Sequence, residues 1–240
     1  MINHPNRSSA KTYPEITEEI ARKVLTVVDA GLVNGVGNPI PGQMCVEAAV
    51  CYALGLPHGD DPKCVAPSLR SLKIRLNDSR WSSNEARAKG LRRLALAQLG
   101  SRDHLDDKEF ARRVAELAIR KSVPEALRAA ASIHKDPKHV AALRAAAAEC
   151  EREPTRANAL AARKAADAAY ADADAAYADA DAADADAAYA YAAAAYAAYA
   201  AAADAYARDK SLAAFAEGVV QILIEMNAPG VEWLPLTEMV

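Results

Sequence analysis

The stretch ADAAYADADAAYADADAADADAAY, residues 166–189, contains no glycine, no proline, no leucine and no basic residue. Within it the heptapeptide DAAYADA stands at 167–173 and again at 174–180, and a degraded copy, DAADADA, follows at 181–187. Seven residues make about two turns of α-helix, so each position of the repeat returns to nearly the same face. Alanine is the best helix former and nothing in the tract breaks a helix, so helix is the structure it specifies. Tyr170 stands four residues before Asp174 and Tyr177 four before Asp181, which brings each pair together on the helix surface.

Length limits what such a helix can do. An unbroken helix from 155 to 217 would run roughly 93 Å at about 1.5 Å per residue. A compact domain of 240 residues measures only about 45 Å across. Aspartate is mediocre inside a helix and good as an N-cap, so breaks are expected near the Asp cluster 179–186 and near 204–210. The result would be two or three alanine-faced helices in a bundle; the alternative is a long protruding coiled coil. Each alanine removes little apolar area from water, so these helices must bring their backbones close together.

Upstream, TEEIARKVLTVVDAG (17–31) reads as a helix capped by Thr17, with Ile20, Val24, Leu25 and Val28 on one face and Gly31 as its stop. GLVNGVGNPIPG (31–42) is a turn-rich loop, QMCVEAAVCYALG (43–55) a short apolar helix, and LPHGDDPKCVAP (56–67) a second loop. Pro67 opens a helix over 67–77. Capping boxes at Ser82-x-x-Glu85 and Asp106-x-x-Glu109 start two more, the first ending at Gly100 and the second placing Phe110, Val114, Leu117 and Ala118 on one face. Helices near 124–133 and 138–152 follow. The last helix ends near Asn227, NAPG turns the chain, and Trp233 is offered to an apolar seam. No segment alternates apolar and polar residues with β-branched enrichment, so the expected fold class is all-α: a multi-helix bundle with an Ala-rich C-terminal helical region. Its expected organisation is a flexible arm (1–14), a helical module (15–122) and an Ala-rich helical module (123–240).

Charge is unevenly spread. Residues 70–121 carry 14 Lys/Arg against 7 Asp/Glu, whereas 165–207 carry 8 Asp and no Lys or Arg, in a chain of net charge −3. Either the basic part packs against the acidic part within the fold, or one of them faces a partner of opposite sign. The polar start MINHPNRSSAKTYPE has no signal-peptide character, and no run of about 18 bulky apolar residues suits a membrane span. Four cysteines without paired spacing fit free thiols in a reducing cytoplasm.

Four constellations bear on chemistry. Cys45 follows a Gly-containing loop near a helix start, where the helix dipole lowers a thiol pKa, and His58 with Asp60 and Asp61 would complete a hydrolase relay. An apolar helix around Cys45 suits a buried structural thiol instead. Cys45, Cys51, His58 and Cys64 are spaced too widely for a usual zinc site, and straight helices spread the tract's carboxylates too far apart for calcium; no metal or cofactor is expected. The loop containing Gly35 and Gly37, beside Arg75, Arg92 and Arg93, forms a candidate pocket for a small anionic ligand such as a nucleotide, although no Gly-Lys-Ser/Thr follows it. The same arginines interleave few aromatics, which argues against nucleic acid. Finally, the Asp/Tyr surface, with Tyr170, Asp174, Tyr177 and Asp181 as its leading residues, combines negative charge with the aromatic contact area enriched at interfaces.

The tract 157–207, with LAAFAEGVVQILIEMNAPGVEW after it, resembles the alanine-rich immunity proteins of polymorphic-toxin loci and phages. The segment GQMCVEAAVCYALGLPHGDDPKCV…LRSLKIRLND…WSS…ARAKGLRRLALAQLGS (42–101) is similar to uncharacterised phage and prophage proteins. The resemblance implies a helical, non-enzymatic accessory protein that neutralises a toxin or a defence system, and it transfers no catalytic residue. The expectation is therefore a binding protein whose partner is a basic protein surface, with a possible homo-oligomer. A sponge for an anionic nucleotide signal is the first alternative and a cysteine hydrolase on Cys45 and His58 the second.

Overall fold

A computed structural model of the chain describes residues 13–170 and 205–238. Among these residues the fold is all-α, and the only β pairing is an isolated bridge between Gly37 and Met44. The helices are α1 (Glu18–Asp29), α2 (Val46–Ala53), α3 (Pro67–Asn77), α4 (Asn84–Ala97), α5 (Asp107–Leu117), α6 (Val123–Ile133), α7 (Pro137–Arg152), α8 (Arg156–Tyr170) and α9 (Ala205–Glu225); a 3-10 helix, Pro229–Thr237, closes the series.

Most starts are where side-chain chemistry puts them. Thr17 caps α1, Asp106 accepts from the Lys108 and Glu109 amides at the head of α5, and Asp136 accepts from Lys138 at the head of α7. The start of α4 differs from the expected Ser82 box. Ser83 Oγ accepts from the Ala86 amide at 3.1 Å, while Ser82 donates its amide and hydroxyl to the Asp209 carboxylate on α9. Asp209 thus ties two distant helix starts together. From Ala205 the helix runs unbroken to Glu225, so no break falls within 205–210; the expected break at 179–186 and residues 1–12 of the arm expected at 1–14 lie outside the described residues, while Tyr13 in that arm is buried and donates to Asp103 at 3.0 Å. At the far end of α9, Asn227 takes a left-handed φ of +54°, and the Ala228 amide reaches back to Leu223 O at 2.9 Å. This Schellman-type stop sends the chain into the 3-10 helix.

Helix α4 is the axis of the larger packing unit. Its Ala88, Leu91, Leu94, Leu96 and Ala97 are buried against α1, α2, α9 and the 3-10 helix. Gly90 leaves room for the Trp81 ring: a Cβ there would lie 2.4 Å from it. Trp233 is half-buried against the same core. A second unit stacks α6, α7 and α8, and its buried residues Ala130, Ala131, Ala147, Ala162 and Ala169 are the small side chains that close approach requires. The two units share a rod. Residues 107–133 run as helix throughout, with a π-helical turn at Ala118–Ser122. Pro124 supplies the cause, since it lacks an N–H and its ring displaces the carbonyl four residues earlier. The module boundary expected at 122/123 therefore falls inside a continuous helix. No helix among the described residues is long and apolar enough to cross a membrane.

Candidate functional site

The end of α3 organises the surroundings of the Gly-rich loop. Asn77, almost fully buried, accepts the Val46 amide on Oδ1 (3.2 Å) and donates through Nδ2 to Val33 O and Asp78 Oδ1, both at 2.9 Å. The buried Arg87 guanidinium donates to Asn77 O (2.8 Å), Leu32 O (2.8 Å) and Asn84 Oδ1 (2.9 Å). Trp81 Nε1 adds a bond to Leu76 O at 2.9 Å. Loop, α2 and α3 are thereby held in one arrangement. Gly37 (φ +70°) lies against the opposite arm of the loop, where a Cβ would stand 2.0 Å from Gln43 O, so no other residue fits there.

Beneath this loop sits a buried ion pair. Glu47 in the first turn of α2 and Lys73 on α3 are both 0% exposed, with Nζ and Oε1 3.4 Å apart. Neither carboxylate oxygen nor the ammonium has a hydrogen-bond partner. Burial pushes the Glu47 carboxyl up and the Lys73 ammonium down, each opposed by its partner's charge. Next to the pair opens a small cleft of about 40 Å³, lined by Gly35, Val36, Glu47, Asp60, Ile74 and Asp78 among others. Asp60 at its edge holds Arg70 through both its carboxylate and its carbonyl oxygen, each at 2.5 Å.

Of the residues singled out for anion binding, Gly35, Arg92 and Arg93 are already employed. The Gly35 amide donates to Asp78 Oδ1 at 2.8 Å, so the loop's anion is the protein's own carboxylate. Arg92 forks onto Asp29 at 2.7 and 3.0 Å and also donates to Thr237 O. Arg93 pairs with Glu217 at 3.0 Å. Arg75 is exposed on α3. Neither Arg92 nor Arg93 lines the cleft. Of the Asp/Tyr set, Tyr170 is the last described residue of α8, and Asp174, Tyr177 and Asp181 lie outside the described residues. No protein-family model, no curated protein and no solved structure matches the chain.

Cys45 is a cap. Its Sγ accepts the Ala48 amide at 3.3 Å, and burial pushes the thiol up, the opposite of the dipole-lowered pKa expected at a helix start. His58 Nε2 is bonded to Gly37 O at 2.9 Å. Among the described residues no cluster of three or more His, Cys, Asp or Glu could hold a metal. Burial also pushes Cys51 up to about 12 and Cys64 and Cys150 to about 11. All four thiols are therefore expected to stay unreacted with a disulfide reagent at neutral pH in the native protein and to react together after denaturation. One fast-reacting native thiol would contradict this placement.

Of the residues that most define the site, sequence reasoning places Lys73 and Arg87 only in the basic stretch beside the Gly-rich loop, as anion-binding charges, and does not select Glu47 or Asn77. A signal exists for Glu47 and Lys73. Glu47 is the sole charge in the run MCVEAAVCYA, and Lys73 stands between Leu69 and Leu76 at helical spacing, on the apolar face of α3.

Proposed function

We propose that this chain is a non-enzymatic accessory protein that binds and neutralises a basic protein, such as a toxin or a host-defence component, through its Asp/Tyr tract. The observation that supports this most is the use of the basic residues of 70–121. Their ion pairs among the described residues include Arg70 with Asp60, Lys73 with Glu47, Arg92 with Asp29, Arg93 with Glu217 and Glu238, Arg112 with Glu109 and Glu116, and Arg113 with Glu109 and Glu225. None of these acids belongs to 165–207, and Asp167 pairs within α8, with Arg163 at 3.6 Å. The tract 165–207 carries eight Asp and no Lys or Arg, and a cationic surface is the natural complement of that charge. Cys45 as a buried cap fits a non-enzymatic role, and four free buried thiols suit a reducing cytoplasm.

The test uses the full chain immobilised in a bacterial lysate at low ionic strength, with captured proteins identified by mass spectrometry. The dominant partner is then purified and titrated calorimetrically against the natural chain and against a variant with Asp172, Asp174, Asp179 and Asp181 changed to Asn. The expected partner is basic, and the variant binds it at least about tenfold more weakly, the scale of losing charge-assisted contacts. A partner held equally tightly by the variant overturns the reading.

A further inference from the structure

We propose that Asn34 is a site of enzyme-free self-modification, where the Gly35 amide nitrogen closes on the Asn34 side chain and expels ammonia, with Asp78 taking the proton. Asn34 is the one asparagine of the chain that precedes glycine, and it is exposed at the entry of the Gly-rich loop. Ring closure needs a following nitrogen that can be approached, and a side chain on that residue stands in the way. Gly35 has none, and no atom lies within 4 Å of where its Cβ would be. The other asparagines of the region are worse placed. Asn38 precedes proline, whose nitrogen carries no proton to lose, and Asn77 is buried.

Asp78 touches both ends of the reaction. Its Oδ1 accepts the Gly35 N–H at 2.8 Å, so a base already sits on the proton that the nucleophile must lose. Its main-chain oxygen accepts Asn34 Nδ2 at 3.3 Å, which holds the leaving nitrogen against the same residue. The N–H lies in the peptide plane and attack comes perpendicular to that plane, so the hydrogen bond to Asp78 does not cover the reacting face. In the step, the bond from Gly35 N to Asn34 Cγ forms and the bond from Cγ to Nδ2 breaks. The proton passes from Gly35 N through the Asp78 carboxylate to the departing nitrogen, which leaves as ammonia; nothing is oxidised or reduced. Water then opens the succinimide at either carbonyl and leaves aspartate, or its β-linked isomer, at position 34.

The product changes the loop. A carboxylate replaces the amide beside the Asp78 main-chain oxygen, so two acceptors meet where a donor met an acceptor. The β-linked form also adds a carbon to the backbone at the entry of the loop that exposes Val36 and Ile40. The reaction is independent of the Asp/Tyr tract.

The experiment incubates the full natural chain in warm neutral buffer and follows each asparagine by peptide mass spectrometry, with fragmentation to locate the change and chromatography to separate the β-linked isomer. A gain of about 1 Da is expected at Asn34, with Asn38, Asn158 and Asn227 unchanged. The linear peptide LVNGVG, which has the dipeptide without the carboxylate, is expected to react at least about tenfold more slowly than the folded chain. The same slowing is expected for Asp78→Asn, which keeps acceptor oxygens for Gly35 and Asn34 but takes up no proton. A natural chain that keeps its mass at Asn34, or that reacts no faster than the peptide or than Asp78→Asn, overturns the proposal. The four-Asp variant of the tract leaves the rate unchanged, so this proposal and the partner-binding reading fail separately.

Discussion

Lys73→Met is expected to lower the unfolding free energy by about 3–5 kcal/mol, the usual cost of breaking a buried ion pair from one side. The reason lies in what remains. Glu47 keeps its place in the first turn of α2 with 0% exposure and no hydrogen-bond donor, so its carboxylate must either stay charged without a partner or take up a proton. Glu47→Leu leaves the mirror problem on the ammonium. The double variant removes both charges and fills the space with apolar volume, and it is expected to fall within about 1 kcal/mol of the natural chain or to exceed its stability. Urea unfolding followed by far-UV circular dichroism on all four proteins closes a double-mutant cycle. A Lys73→Met loss below about 1 kcal/mol would show that the pair is not buried as described.

Arg87→Ala is the second large effect, at about 3–5 kcal/mol. The guanidinium answers three acceptors at once, on α3, on the loop after α1 and on α4's own first turn. Each buried acceptor left without a partner costs roughly 1–3 kcal/mol. Lys at this position keeps the charge but cannot reach three separate directions, so Arg87→Lys is expected to recover less than half of the loss. Hydrogen exchange distinguishes this from a general loss of stability: Val33 and Gly35 amides should open before those of α9. Uniform weakening across the molecule would refute Arg87 as the keystone of this corner.

The fold was largely legible in the residues. Capping side chains at Thr17, Asp106 and Asp136, prolines at the first position of α3 and α7, and Asn227 after α9 are local signals, and local signals survive folding. What stayed hidden depends on distance. Ser82 reads as a cap until Asp209, 127 positions away, takes its amide. The helix from α5 to α6 reads as two because a proline normally stops a helix, whereas a π turn can absorb one. The binding face suggested by Arg92 and Arg93 failed to stand free for the same reason: Asp29 and Glu217 are remote in sequence and adjacent in space. Glu47 and Lys73 come from different helices, and the spacing that puts Lys73 on the apolar face of α3 does not say which charge it will meet there.

Arg92 meets Thr237 across 145 positions and Ser82 meets Asp209 across 127. Helical bundles with neighbour-to-neighbour packing fold in microseconds to milliseconds because their contacts are short-range. In this chain the central helix α4 cannot finish its surroundings until α9 and the terminal 3-10 helix arrive. The α6–α8 stack can assemble early on its own adjacent contacts, and the search for the late partners then sets the pace. Refolding is thereby placed toward the slow side for an all-helical molecule.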